Sequence, residues 1–372
     1  MPHPQRTASR SILIALAAFL LCLFSALGST VSASASPHKS GPFELGPADS
    51  QGGSIAVEHD GDLVVAYDSS NRTSVCLLHP GARKCAHVTR LRPLLHDTLF
   101  GVPEVFQPTP NHVVVLQDTC CDNATAGGDL LYTSTDGGRT FSAPVRVGTL
   151  GVSAATLIGR RIVFTAQDDR AGTQVESIGV TASGPPAAIA TARRKTAFSV
   201  AIGQYKGGVL VGSTFLGSRL TTTYVEYAPK GKDFNASSSY RDVATFAGED
   251  LWAMSGDALL TIQSAHHNTA VLLRIFNGRS FGPAHVVPNT RGGGPEWFTV
   301  FTEPGGTVHV FSVRGLFRGY DMIEESTSTG RSWSRPRDLG SALRNDFFDA
   351  GLNARGRGIV LGTEPAWAYP VP

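Results

Sequence analysis

The chain has 372 residues, a formal net charge of +2 at neutral pH and charged residues of both signs along its length. A nucleic-acid partner requires a concentrated basic surface, so this balance argues against nucleic acid. The 41 glycines indicate a chain with many turns.

The first segment has the pattern of a secretory signal peptide. Arg6 and Arg10 precede an apolar run from Ile12 to Leu27, and Ala33-Ser34-Ala35 offers a small-residue cleavage site. The run is shorter than the ~20 residues of a typical membrane span. We therefore predict a cleaved signal at 1–35, a single domain at 36–372, a secreted protein and no membrane partner after cleavage.

Four cysteines follow the predicted signal, and disulfides persist in exported proteins. Cys76 and Cys85 flank a turn-like segment, which favours a bond across a hairpin of the first repeat. Cys120 and Cys121 are then left as chain neighbours. A bond between them would either stiffen their loop or form a ligand platform. We favour the stiffened loop.

Residues Ser134 to Phe141 have the pattern of an Asp-box. Asp136 can turn its carboxylate onto its own turn, Gly137 and Gly138 can supply positive φ, and the aromatic ring can wedge between neighbouring blades of a propeller. Similar phrases recur at Gly278 to Gly282 and Gly330 to Ser334. The residues with a structural role are predicted to be Ser134, Asp136, Gly138, Thr140 and Phe141.

A repeat of about 50 residues runs through the predicted mature chain. Turn residues that precede a short apolar strand are spaced by 50, 48, 48, 49, 50 and 50 residues. Near-equal units of short β-rich runs indicate radial repetition of four-stranded sheets. The sequence predicts an all-β, seven-bladed β-propeller of antiparallel blades, with its turns at Gly61, Asn111, Gly159, Gly207, Gly256, Gly306 and Gly356.

The last repeat lacks a fourth strand before the chain ends. Its first three strands are predicted at Phe347 to Leu352, Ile359 to Gly362 and Ala366 to Tyr369. The segment Gly41 to Leu45 has the character of a fourth strand. We predict that it completes the last blade, so that both ends of the mature chain close the ring and remove an open sheet edge.

The Asp-box phrases and the repeat resemble those of the Asp-box (BNR repeat) propellers. That group includes sialidases and related glycosidases, sortilin-type receptors and photosystem assembly factors. The resemblance covers most of the mature chain and implies a fold more strongly than a function. Because sialidases have six blades, a six-bladed ring is the alternative.

The chain departs from the catalytic pattern of sialidases. Sialidases hold a substrate carboxylate with three arginines. Their nucleophile is a Tyr that a Glu activates, and an Asp acts as the acid. Their Phe-Arg-Ile-Pro phrase is absent, and Arg92-Pro93 is its nearest equivalent. Arg318 and Tyr320 therefore receive no catalytic role from the resemblance.

Polar residues follow the predicted second strands or precede the first strands. If the strand assignment holds, these groups share one rim around the central channel, where carboxylates and arginines would suit a polar ligand such as a sugar. Each has an alternative reading as a solvated turn residue. The candidates are Glu104, Asp118, Asp168, Asp169, Arg170, His266, Glu296, Arg314, Arg318 and Tyr320.

Two functions from different classes remain open. The favoured one is a non-catalytic, monomeric recognition module that grips a glycan or an extracellular protein, and the other is a sialidase-like glycoside hydrolase. Asp118, Asp122, Asn123 and Asp129 are oxygen-rich, but their spacing does not match an EF-hand loop. We predict no metal and no cofactor.

Overall fold

The described part of the chain consists almost entirely of β-strands. The computed structural model describes residues 41–47, 50–57, 61–69, 72–92, 102–119, 128–147, 152–168, 172–180, 189–191, 199–217, 220–265, 268–288, 290, 297–316, 319–327, 330–342, 348–353, 355–363 and 366–371. The predicted signal at 1–35 and the predicted loop cysteines Cys120 and Cys121 lie outside these ranges.

The strands form seven four-stranded antiparallel sheets, which are the blades of a propeller. The first strands of blades 1 to 7 are β2 Ser50–Val57, β6 Glu104–Thr109, β10 Val152–Ile158, β14 Ser199–Tyr205, β18 Glu249–Ser255, β22 Trp297–Thr302 and β26 Phe348–Leu352. The second strands are β3 Leu63–Ser69, β7 His112–Thr119, β11 Arg161–Asp168, β15 Gly208–Leu216, β19 Ala258–Ala265, β23 Val308–Leu316 and β27 Gly358–Thr363.

The outer half of each blade is built from its third and fourth strands. The third strands are β4 Arg72–Leu78, β8 Gly128–Ser134, β12 Gly172–Gly179, β16 Thr221–Ala228, β20 Asn268–Ile275, β24 Gly319–Thr327 and β28 Ala366–Val371. The fourth strands are β5 His87–Arg90, β9 Val145–Val147, β13 Ile189–Thr191, β17 Arg241–Ala247, β21 His285–Val286, β25 Arg337–Ala342 and β1 Phe43–Glu44. A short 3-10 helix, Ser237–Ser239, precedes β17.

The N-terminal strand closes the ring as predicted. Phe43 pairs with Ala368 and Glu44 pairs with Trp367, so β1 becomes the fourth strand of blade 7. Blade 7 then packs on blade 1, because Phe43, Leu63 and Leu361 share one buried apolar cluster. The seven-bladed prediction and its closure are confirmed, and the six-bladed alternative is excluded.

The core of the protein lies between the blades. Seven separate clusters of buried side chains each join two neighbouring blades. First strands of neighbouring blades contact one another around the ring, from β2 through β26 and back to β2. Since these strands are innermost, the side chains that point away from the clusters surround a central channel.

The seven turn residues that defined the repeat all lie between a first and a second strand. Six of them are glycines with φ between 55° and 95°, a region that glycine enters without steric cost. These turns therefore lie on one face of the ring, which we call the hairpin face. The ends of the second strands and the beginnings of the first strands lie on the opposite face.

The Ser134–Phe141 phrase forms the turn between the third and fourth strands of blade 2. Asp136 accepts hydrogen bonds from the backbone N–H of Thr140 at 2.9 Å and from its hydroxyl at 2.7 Å. Gly137 and Gly138 have the predicted positive φ, 72° and 87°. Phe141 packs against the apolar cluster between blades 1 and 2, so the predicted wedge is confirmed.

Cys76 and Cys85 form a disulfide, with 5.4 Å between their Cα atoms, as predicted. The bond joins β4 to the segment before β5 and so fixes the outer edge of blade 1. Within the described ranges no helix has the length and apolar character that a membrane crossing requires.

Candidate functional site

The central channel contains a cavity of about 360 Å³. This volume is at the lower end of the ~300–1,000 Å³ found for small-molecule sites. All seven first strands contribute to its wall. The lining residues are Ser54, Ile55, Ala56, Val57, Glu104, Val105, Phe106, Gln107, Ala155, Thr156, Leu157, Gln204, Ser255, Phe301, Asp349 and Ala350.

Hydrogen bonds between neighbouring first strands fix the channel wall. The hydroxyl of Ser54 in blade 1 accepts the backbone N–H of Val105 in blade 2 at 2.6 Å. In the same way, Ser255 in blade 5 accepts the N–H of Thr302 in blade 6 at 3.0 Å. The wall is therefore held by contacts that cross the blade boundaries and does not depend on loop conformation.

Glu104 and Asp349 are the acidic groups of this cavity. Glu104 is the first residue of β6 in blade 2, and Asp349 is the second residue of β26 in blade 7. Blade 1 lies between them, yet both side chains line the same cavity. Among the described lining residues there is no Lys, Arg or His to neutralise them.

Two backbone N–H groups stabilise the charged form of Asp349. Its Oδ2 accepts the N–H of Ile55 at 2.9 Å, and its Oδ1 accepts the N–H of Ala350 at 2.8 Å. Burial raises the pKa of Asp349 to about 6, and the two backbone N–H groups act against that rise. At neutral pH Asp349 is therefore ionised.

Glu104 has a different environment. Burial raises the pKa of Glu104 to about 8, and the nearby charge of Asp349 raises it further. No hydrogen bond from a described residue opposes this rise. At neutral pH Glu104 therefore keeps its proton while Asp349 has lost its own, so the pair presents one O–H donor and several acceptor oxygens to the cavity.

The other predicted site residues fall into two groups. Four lie on strands at the face opposite the hairpin face, which is also the face of Glu104. They are Asp118 near the end of β7, Asp168 at the end of β11, Arg314 in β23 and Tyr320 in β24. The remainder lie outside the described residues, namely Asp169, Arg170, His266, Glu296 and Arg318. Their roles as ligand contacts stay predictions.

Asp349 was missed at the sequence level. Its signal was an acidic residue at the beginning of a first strand, which also occurs at Glu104 and Glu249. Position alone does not separate their roles, because Glu249 forms a buried ion pair with Arg274 at 2.6 Å. The third strand of blade 5 carries the basic residue Arg274, whereas the third strands of blades 2 and 7 contain no Arg or Lys.

Within the described residues no group of three or more His, Cys, Asp or Glu side chains is placed to hold a metal ion. The side chains that line the channel include two carboxyl groups, hydroxyls and an amide. Such groups exchange hydrogen bonds with a polar ligand and can move a proton between two acids.

No protein-family model matches the sequence, and no curated protein does. Solved structures with similar folds include the α-L-arabinofuranosidase Arb93A of Fusarium graminearum in complex with an iminosugar inhibitor. The two sequences are 9% identical, and the structures align with a TM-score of 0.49. The alignment covers 77% of this chain and 97% of Arb93A. The Pan2 WD40 domain of Neurospora crassa has 11% identity and a TM-score of 0.49, with 88% and 98% covered.

Proposed function

We propose that the protein is an exported β-propeller that binds a polyhydroxylated ligand, the end of a glycan, in its central channel. The observation that carries this proposal is the pair formed by Glu104 and Asp349, which line one cavity without a basic partner among the described lining residues. At neutral pH the pair offers both a donor and acceptors, the combination that sugar hydroxyl groups require.

The shape of the site favours a glycan over a protein partner. A cavity of about 360 Å³ accepts a small ligand or one chain end, whereas a stable protein interface buries about 800 Å² on each partner. Phe301, which is half-buried in the wall, offers apolar surface to the carbon face of a sugar ring. A neutral ligand would also leave the proton on Glu104.

Export is supported by the sequence at 1–35 and by the Cys76–Cys85 disulfide, since such bonds persist in oxidising compartments. We also propose that the turn at Ser134–Phe141 is an Asp-box and that it acts only on the fold. Its carboxylate is occupied within its own turn, on the hairpin face.

One observation favours a second candidate function, glycoside hydrolysis. Glycosidases pair a protonated acid with an ionised carboxylate, and environments that separate two pKa values assign those roles. The pKa of Glu104, near 8, suits the acid, and the pKa of Asp349, near 6, suits the base or nucleophile. Catalysis would use the same cavity as binding.

A screen with channel variants tests both functions. The purified protein is applied to a glycan array and to chromogenic glycosides, alongside Glu104→Gln and the control Glu44→Gln, which removes an exposed carboxyl from β1. Binding that is lost in Glu104→Gln and kept in Glu44→Gln supports the channel site. Turnover that is lost in the same way supports the hydrolase. Binding of neutral glycans that survives Glu104→Gln would overturn the proposed site.

A further inference from the structure

A second cavity, of about 560 Å³, opens between blades 2 and 3 on the hairpin face. It lies away from the channel carboxyls and shares no lining residue with the channel cavity. We call it the interblade crevice. Its wall comes from the turns and outer strands of blade 2 and from Arg160, in the first turn of blade 3.

The crevice is basic at one end. His112, the first residue of β7, is half-buried, and Arg160 is exposed in the facing turn. Burial lowers the pKa of His112, and the guanidinium of Arg160 lowers it further, so the two groups lie close enough to repel. No carboxylate is found among the described lining residues, and Asp136 on the adjoining turn is occupied by Thr140.

The rest of the crevice is lined by neutral groups of two kinds. Thr109, Thr135 and Asn111 contribute polar side chains, while Ala143 and Val145 contribute apolar surface. This combination resembles neither a purely ionic site nor an apolar groove. It matches a sugar ring, which has hydroxyl groups at its edge and carbon atoms on its faces.

We propose that the interblade crevice binds a saccharide that carries a carboxylate. The carboxylate lies between His112 and Arg160, where a planar anion accepts hydrogen bonds from the guanidinium and the ring N–H. The sugar hydroxyls contact the threonine and asparagine side chains, and the ring lies against Val145. This site is separate from the channel and does not depend on the function proposed there.

The pH dependence of binding follows from His112. The charged group that acts on its ring among the described residues is Arg160, and the adjoining turn holds Asp136, whose carboxylate is bonded to Thr140. A bound carboxylate would stabilise the protonated ring. Affinity for the anion is therefore expected to rise as the pH falls through the pKa of His112, which lies below 6.5 in the free protein.

NMR titration of the His112 ring tests the proposal on the full mature chain with D-glucuronate, D-glucose and inorganic sulfate as probes. We expect glucuronate to raise the pKa of His112 by about one unit, as an opposite charge within ~4–6 Å does. Glucose should leave the pKa unchanged. Sulfate should bind at least tenfold more weakly than glucuronate, because it lacks the ring contacts.

Two variants separate the crevice from general surface charge. Arg160→Met should weaken glucuronate binding about tenfold or more, since a hydrogen bond to a charged group is lost. Arg139→Met, which removes an exposed arginine from the cavity between blades 1 and 2, should leave binding unchanged. An unchanged His112 pKa in glucuronate, equal binding of sulfate, or equal loss in both variants would overturn the proposal.

Discussion

Glu249 in blade 5 and the two acids of the channel have opposite environments. In blade 5, Glu249 receives both guanidinium nitrogens of Arg274, at 2.6 and 2.7 Å, and the hydroxyl of Thr261 at 2.6 Å. In the channel, Glu104 and Asp349 face each other's charge with no such partner among the described lining residues. Glu249 is neutralised locally, whereas Glu104 and Asp349 line an open cavity where a ligand can reach them.

Blade 6 contains a second neutralised acid network. The ring of His309 lies between Glu324 at 2.8 Å and Glu303 at 2.9 Å, and Arg337 approaches the other oxygen of Glu324 at 3.2 Å. Burial alone lowers the pKa of His309, but the hydrogen bonds and charges of the two carboxylates outweigh it and raise the pKa above its ordinary value. The acids of this network have basic partners, as Glu249 does, whereas the two channel acids have none among the described lining residues.

The largest expected effect comes from breaking the ion pair of blade 5. Arg274→Met leaves Glu249 buried without its cation, and loss of one partner of a buried pair costs about 3–5 kcal/mol. Urea unfolding measures this. The double variant with Glu249→Leu should recover most of the loss, since no charge is left unpaired. A loss below about 1 kcal/mol in the single variant would show that Glu249 needs no cation.

The network of blade 6 should give a pH-dependent effect. His309→Gln is expected to cost about 1.5–3 kcal/mol at pH 6, because hydrogen bonds to charged groups are lost. The pKa of His309 is raised in the folded state, so its protonation stabilises the protein below the unfolded pKa of 6.5. This stabilisation is lost as the pH rises through the folded pKa. The destabilisation caused by His309→Gln should therefore be smaller at pH 9. The exposed His87→Gln serves as control. Equal costs at both pH values would contradict this account.

The channel variant Glu104→Gln should stabilise the protein, whereas His309→Gln destabilises it. Glu104 has a folded pKa raised from 4.5 to about 8, so its ionisation opposes folding increasingly across that interval. Glu104→Gln removes this penalty and should stabilise the protein by more than about 1 kcal/mol at pH 8.5 relative to pH 4.5. Denaturant unfolding at both pH values measures the difference. No gain at pH 8.5 would indicate that a cation already neutralises Glu104.

The smallest effect is expected at the exposed turn of blade 2. Asp136→Ala removes the acceptor of the Thr140 N–H and hydroxyl, which should cost about 1 kcal/mol. Hydrogen bonds from Thr140 and Ser134 lower the pKa of Asp136 to about 2, so this stability is lost only as pH falls below 3.8 towards 2. Thermal unfolding at pH 7 and pH 2 measures it. A change in glycan binding would contradict a purely structural role.

The fold was predictable because its signals are local and repeated. A turn residue about every 50 positions fixed seven units, and the strand-like segment at Phe43 accounted for closure. The site was less predictable. Glu104 and Asp349 are 245 positions apart (349 − 104), and only closure of the ring brings them to one cavity. Glu249 occupies a similar position in its own blade. The sequence did not indicate that, of these three acids, Glu249 would be the one paired with Arg274.

Carboxyl-carbon NMR titration of Glu104 and Asp349 is the most direct test that the channel pair is unneutralised. The account predicts midpoints near 8 for Glu104 and near 6 for Asp349, and a lower Glu104 midpoint in Asp349→Asn, where the neighbouring charge is absent. Midpoints near the ordinary values of 4.5 and 3.8 would contradict it, because they would mean that both carboxyls are solvated or paired and that both are ionised at neutral pH.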